Sequence, residues 1–146
     1  MANGEKVTPK RLINSGNNGK IQENIKFNAQ RFGVYEDQVN SHGGSGNIKP
    51  DLVHSSHNGN PRKSEPLQII DHKNHDGKID KRAFYDAAGL VYLEIHTTNH
   101  NFPKTHPFGT NGEHAHNIKW IDEKATRPES GRELTTQERE DNADIL

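Results

Sequence analysis

Apolar residues are sparse along this chain, and where they recur they do so with two different periods. Near the N-terminus a spacing of four, four and three residues places them on one stripe of a helix: Ile21, Ile25, Ala29 and Phe32. Gly33 follows at the position where a helix C-terminal cap belongs. The pattern predicts a helix over about 20–32.

A period of two predicts strands between about residues 66 and 121. PLQIID is a short apolar run, and the runs KIDKRAFYD and LVYLEIHTT flank a glycine-containing connection, which is typical of a β-hairpin. In EHAHNIKWI alternate residues share one side of a strand: His114, His116, Ile118 and Trp120. This parity predicts that both histidines lie beside the tryptophan, near the core.

The segments on either side of these strands have different characters. The stretch from Ser41 to Pro66 is dense in Gly, Ser, Asn and Pro, which is typical of a long loop or linker. The tail GRELTTQEREDNADIL predicts a short terminal helix, because Thr135 and Glu138 have the spacing of a capping box.

Together these elements predict an α+β fold. We expect a small antiparallel sheet, an N-terminal helix packed on it, a short C-terminal helix and long irregular segments. The expected division is into two parts. Residues 1–65 form a helix and a flexible, linker-like region, and residues 66–146 form a histidine-rich α+β domain with a C-terminal tail.

Composition limits both the core and the chemistry. Hydrophobic residues make up 28% of the 146 residues, so the core is expected to be small. There is no cysteine, which excludes a disulfide scaffold, a thiolate metal site and a cysteine nucleophile. The net charge of −1 means that nucleic-acid binding would need a local patch. No apolar run approaches the ~20 residues that span a bilayer, and the N-terminus lacks an apolar signal region, so we expect no membrane partner and no signal peptide.

The most concentrated chemistry is a histidine-rich stretch. Five of the ten histidines fall within 21 residues: His96, His100, His106, His114 and His116. One interpretation is a metal site in which His114 and His116 bind an ion from one strand face. His100 or His106 then arrives from the preceding loop. Such a set suits a divalent metal such as zinc, with a water in the open position.

Two other interpretations need no metal. Imidazoles can act as acid and base in RNA cleavage near neutral pH, with Arg82 or Lys104 as the cation that stabilises the phosphorane. Alternatively the stretch is structural, with polar loop histidines and one or two buried, hydrogen-bonded ones. The concentration of five histidines, two of them on a strand face with Trp120, favours a functional site.

Four motifs follow one another between about Lys81 and Trp120: RAFYDAAG, EIH, HNFPKTHP and HAHNIKW. Together they resemble a family of histidine-rich C-terminal modules of bacterial polymorphic toxins and related prophage proteins. The tail RELTTQEREDNADIL is similar to endings of prophage-encoded versions. The sequence departs from the family pattern at Asn101, which replaces a glycine, and at Glu94 and His96, which replace two aspartates.

The resemblance implies a ribonuclease of a barnase-like α+β type. It also implies action in the bacterial cytoplasm, on RNA or another nucleic acid, with an immunity or host protein as a partner. On this hypothesis the catalytic set is His100, His106, His114 and His116. The substrate contacts are Arg82 and Lys104, and the ligands of a metal-dependent version are His114, His116 and His100.

A second hypothesis is a non-enzymatic phage protein. It would be a virion or assembly component, or an inhibitor that binds a host protein, with histidines that are structural or hold an ion. A cupin-like metal enzyme ranks third, because the sequence has the His-x-His pair but lacks the second ligand motif and enough strands.

Overall fold

A five-stranded sheet organises the residues that this computed structural model describes, which are 34–126 and 131–146. The spatial order of its strands follows the sequence order. The strands are β1 (Leu52–His54), β2 (Ile69–Lys73), β3 (Ile79–Tyr85), β4 (Val91–His96) and β5 (His114–Asn117). Strand β1 is parallel to β2, and all other neighbours are antiparallel.

Two helices and a small hairpin complete the described fold. Helix α1 covers residues 34–41 and helix α2 covers Thr136–Asp141. Strands β6 (Lys119–Ile121) and β7 (Lys124–Thr126) form a separate two-stranded sheet. The expected α+β fold with a small, mostly antiparallel sheet is therefore confirmed. The helix predicted over about 20–32 lies outside the described residues.

The predicted hairpin is present as β3 and β4. Its connection is closed by Asp86, whose carboxylate accepts the backbone N–H groups of Ala88 and Leu90. Gly89 in this turn has a φ of 81°, and a Cβ there would lie 2.2 Å from the carbonyl oxygen of Ser64. Only glycine fits this position, because both the dihedral angle and the close approach exclude a side chain.

The sheet has an apolar cluster on each face. On one face the helix and its following loop contribute Tyr35, Val39 and Ile48, which pack against Phe84 and Leu93. The other face carries a smaller cluster, to which the β6–β7 hairpin adds Trp120: Ile70, Ala83, Tyr85, Val91 and Ile118. The stretch from Ser41 to Pro66, predicted to be a long loop or linker, is mostly irregular. In the structure it supplies β1 and the buried Ile48, because Ile48 and the strand pairing anchor it to the sheet.

The C-terminal segment covers the β5 edge of the sheet. Arg132 and Ala115 exchange two backbone hydrogen bonds of 2.9 Å. The predicted capping box begins α2: Thr135 accepts from the backbone N–H of Glu138, and the Glu138 carboxylate accepts from that of Thr135. Glu138 also pairs with the Arg132 guanidinium through two 2.8 Å contacts.

Arg82 does not contact the solvent, which corrects its predicted role as a substrate contact. It is 1% exposed, and its guanidinium donates to the carboxylates of Asp71 and Asp144 at 2.8–3.0 Å. A further bond reaches Asn142 at 3.1 Å. Arg82 thus ties β2, β3 and the C-terminal tail together, with its guanidinium engaged by buried and half-buried acceptors.

We expect Arg82→Ala to lower the free energy of unfolding by about 3–5 kcal/mol, because Asp71 would stay buried without its cation. Denaturant unfolding measures this loss. The matched control is Lys104→Ala at an exposed loop position, which should change stability by less than about 0.5 kcal/mol. Equal stability of the two variants would contradict the structural role.

Candidate metal centre

The pairing of β4 with β5 sets four polar side chains on one face of the sheet. His96 is paired with His114, and Glu94 with His116. Directly paired residues share a face, and alternation along the strands puts these four opposite to Ile95 and Ala115. Ala83, the β3 partner of Glu94, belongs to the apolar cluster with Ile118 and Trp120. His114 and His116 therefore share a face as predicted, whereas Trp120 lies in the separate strand β6 and packs against the cluster that contains Ile118.

The loop between β4 and β5 brings two more histidines over this face. His100 and Asn101 have φ values of 56° and 67°, which reverse the chain just after the strand. A turn follows in which the N–H of His106 donates to the carbonyl of Phe102. His100 and His106 thereby reach the paired histidines, and we call the five residues the histidine cluster: His96, His100, His106, His114 and His116.

The rings of the histidine cluster are in mutual contact. Ring centroids of adjoining members are 4.6–5.5 Å apart. Three of the rings are buried, since His114, His96 and His116 are 0%, 2% and 5% exposed. His100 and His106 are half-buried and form the rim toward solvent. The structure therefore brings together all four histidines that the sequence analysis selected, and it adds His96.

Hydrogen bonds orient two of the buried rings. The carboxylate of Glu94 can only accept, so Nε2 of His96, 3.2 Å away, carries the proton. Nδ1 of His96 then accepts from Nε2 of His100 at 2.8 Å. The carbonyl of Gly112 accepts from Nδ1 of His114 at 2.7 Å. The Nε2 lone pair of His114 is thus the one left for a ligand bond, as in the carboxylate–histidine and carbonyl–histidine pairs of metal sites.

Burial keeps two members of the cluster neutral. It lowers the pKa of His96 to about 4, although the nearby Glu94 carboxylate opposes the shift. Burial lowers the pKa of His100 to about 4 as well, with further contributions from His114 and Lys81. Metals bind the neutral imidazole, so these rings are ready to act as ligands at pH 7 without losing a proton first.

The cluster contains two sets of three potential ligands that share His114. One set is His96, His100 and His114, and the other is His106, His114 and His116. In each set one nitrogen from every ring lies within 4.8 Å of the others. A tetrahedral ion with Zn–N bonds of about 2.0–2.1 Å would hold its ligands roughly 3.3 Å apart. Small ring movements would therefore close either set around an ion.

The other two predicted site residues are Lys104 and Arg82. Lys104 is exposed in the loop, and Arg82 is buried on the opposite face of the sheet. The sequence analysis did not select Glu94 and His96 as site residues. The alternation in LVYLEIHTT was the signal for them, since it places both on one face of β4.

Comparison with known proteins does not assign this chain to a family. No protein-family model, no curated protein and no solved structure matches this chain. The resemblance to toxin modules therefore stays a prediction. In the part of the chain that the structure describes, neither helix has the length and apolar character needed to cross a bilayer.

The low pKa values of His96 and His100 predict acid sensitivity of the metal-free protein. Between about pH 4 and 6.5 the unfolded chain binds protons at these histidines that the folded protein does not bind. The free energy of unfolding should therefore fall as the pH is lowered through this window. Denaturant unfolding with a chelator present, from pH 7 to 5, measures the slope.

The double variant His96→Gln/His100→Gln should flatten this slope. His75→Gln, at a side chain that is 93% exposed, is the matched control and should keep it. If the double variant has the same slope as the wild type, the two buried imidazoles are not the cause.

Proposed function

We propose that this protein is a metal-dependent nuclease of the toxin-like, prophage-encoded class, with RNA as its substrate. The observation that carries the proposal is the pair of three-histidine sets that share His114. Acceptors at Glu94 and Gly112 orient the rings in the way that second-shell groups orient metal ligands. This arrangement supports an ion site more strongly than five loop histidines would.

The ligand types favour a transition metal. Both sets consist of imidazoles alone, with no carboxylate among them. Imidazole suits zinc, copper, iron and nickel, whereas magnesium and calcium require oxygen ligands. Three imidazoles with an open fourth position are the ligand pattern of catalytic zinc, and such an ion supplies an activated water for hydrolysis of a phosphodiester.

The protein should hold one ion rather than two. Nδ1 of His114 donates to the Gly112 carbonyl, so this ring has only Nε2 for a metal. A neutral imidazole has only one unprotonated nitrogen, so it cannot bridge two ions. Since both sets need His114, they are alternatives, and the stoichiometry is one ion per chain.

The low pKa of His100 argues against this residue as the general acid of a metal-free mechanism. With a pKa of about 4, roughly one His100 in a thousand carries the proton of a general acid at pH 7. Arg82, one of the two candidate cations for that mechanism, donates to carboxylates on the other face of the sheet. An ion at the cluster supplies the positive charge without either group.

An exposed aromatic ring beside the cluster supports a nucleic-acid substrate. Phe102 lies in the loop between His100 and His106 and is 62% exposed. Single-stranded RNA is commonly bound through bases that stack on such rings. The half-buried rim formed by His100 and His106 is the side of the cluster that such a substrate can approach.

Metal titration tests the ion site. The wild-type protein, purified without a histidine tag, should bind one equivalent of zinc in competition with a chromophoric chelator, and magnesium should not compete. His114→Gln removes the shared ligand and should abolish this binding. Glu94→Gln, which leaves all five rings in place, should weaken it by about 10–100-fold.

His75→Gln is the control for the metal titration and should bind zinc as the wild type does. Because His114 is buried, the double variant His100→Gln/His106→Gln at the rim, which removes one ligand from each set, serves as a second ligand variant if His114→Gln does not fold. Absence of zinc binding by the folded wild-type protein would refute the metal centre.

Nuclease assays test the activity. Single-stranded RNA should be cleaved by the zinc-loaded protein, cleavage should stop with a chelator, and added zinc should restore it. The double variant His100→Gln/His106→Gln, which lacks one ligand of each set, should lose cleavage, while His75→Gln should retain it. Cleavage that a chelator does not affect would support the metal-free acid–base interpretation instead. No cleavage of RNA or DNA under either condition would remove the enzyme proposal.

The burial of three of the rings favours a second candidate function. Closed sites of this kind hold structural ions, and here the ion would stabilise a non-enzymatic phage component or an inhibitor of a host protein. Zinc binding that raises the unfolding temperature without any nuclease activity would support this candidate. Recovery of one stoichiometric host protein with the zinc-loaded chain would then identify the partner.

A further inference from the structure

One row of paired residues crosses all five strands of the sheet. The row is His54, His72, Lys81, His96 and His114. Paired residues share a face, so Lys81 lies on the same face as the histidine cluster and directly beside His96. Arg82, the next residue, points to the opposite face. Lys81 is therefore a cation on the side of the cluster.

We propose that Lys81 binds a phosphate group of the substrate at the histidine cluster. It would fill the role of stabilising cation, for which the sequence suggested Arg82 or Lys104. The inference rests on the proposed function and names the anionic group that the same site recognises. Three features support it: the strand register of Lys81, the hydrogen bonds that the neighbouring carboxylates form with histidines, and the position of the Lys81 ammonium group.

The charge of Lys81 is not neutralised by the carboxylates nearest to it along the chain and across the strands. Asp80 binds Nδ1 of His72 at 2.6 Å, and Glu94 binds Nε2 of His96 at 3.2 Å. Within residues 34–126 and 131–146, no carboxylate forms an ion pair with Lys81. A half-buried ammonium in this situation is available to an anion.

The ammonium group lies between a loop and the cluster. Nζ of Lys81 is 3.4 Å from the point where a Cβ on Gly59 would lie, so this loop forms one wall beside it. On the other side Lys81 is paired with His96, whose Nδ1 lies 2.8 Å from Nε2 of His100. Lys81 is thus within electrostatic reach of the rim through which a substrate would approach.

An ammonium beside a metal ion suits a phosphate. In phosphoryl-group chemistry a metal and a lysine or arginine together stabilise the charge on the non-bridging oxygens. A lysine binds phosphate as a point charge and does not need the fixed fork of a guanidinium. The histidine cluster and Lys81 therefore match a phosphodiester or its phosphate product.

Titration of inorganic phosphate tests the inference. Calorimetry is done on the zinc-loaded protein and on the chelator-treated protein, and zinc content is measured in each case. Lys81→Met should weaken phosphate binding by about tenfold or more, the effect of losing a charge-assisted hydrogen bond, with the zinc content unchanged. Lys81→Arg keeps the charge and should retain most of the affinity. Lys49→Met, at an exposed position next to Ile48 on the other face of the sheet, should change it less than twofold.

Each outcome decides one of the two proposals. If wild type binds no zinc, the metal centre fails. The chelator-treated titration still tests Lys81, because wild type must then bind phosphate more tightly than Lys81→Met. If Lys81→Met binds phosphate as well as wild type, or if wild type binds none, the role of Lys81 is overturned. Lys81→Gln carries the same expectation and replaces the methionine variant should that one not fold.

Discussion

The register between β4 and β5 is the constraint on which the candidate site depends. It pairs His96 with His114 and Glu94 with His116, so that three imidazoles and a carboxylate meet on one face. A slip of one residue would turn every side chain of a strand to the other face. The backbone bonds between Ala115 and Arg132 hold β5 from its outer side, and the C-terminal segment thereby helps to keep this register.

The two faces of the sheet carry different groups: one packs against the helix and holds Arg82, and the other carries the histidine cluster. The face that carries the helix packs Phe84 and Leu93, and it also holds Arg82 among buried and half-buried acceptors. The opposite face carries the histidine cluster, whose buried members His96 and His114 are oriented by Glu94 and Gly112. A chain with so few apolar residues can bury these polar groups because each is given a hydrogen-bond partner, which offsets its desolvation.

Burial also explains why the cluster suits a metal better than a proton. Removing an imidazole from water disfavours its charged form, and neighbouring rings add to the effect. His96 and His100 are accordingly neutral well below pH 7. The nitrogen lone pairs of several neutral imidazoles lie close together in the cluster. A cation such as zinc can bind several of these lone pairs at once.

Local patterns were sufficient for the elements that neighbouring residues define. The alternation in EHAHNIKWI correctly predicted the common face of His114 and His116, and the spacing of Thr135 and Glu138 correctly predicted the cap of α2. The glycine-rich stretch before β2 is mostly irregular, as its composition predicts, but the pattern does not reveal its anchors, which are single residues such as Ile48 and the pairing of the short strand β1. A periodicity argument cannot detect anchors that do not repeat.

The sequence by itself determined that five histidines would be available and that two of them would share a strand face, because alternation is a property of a single strand. Only the tertiary structure decided which residues join them. The fold of the loop brought in His100 and His106, which the sequence had only suggested, strand pairing added His96 and Glu94, and the sheet separated Arg82 from Lys81. Those choices depend on contacts between segments that are distant along the chain, and spacing along one segment carries no information about them.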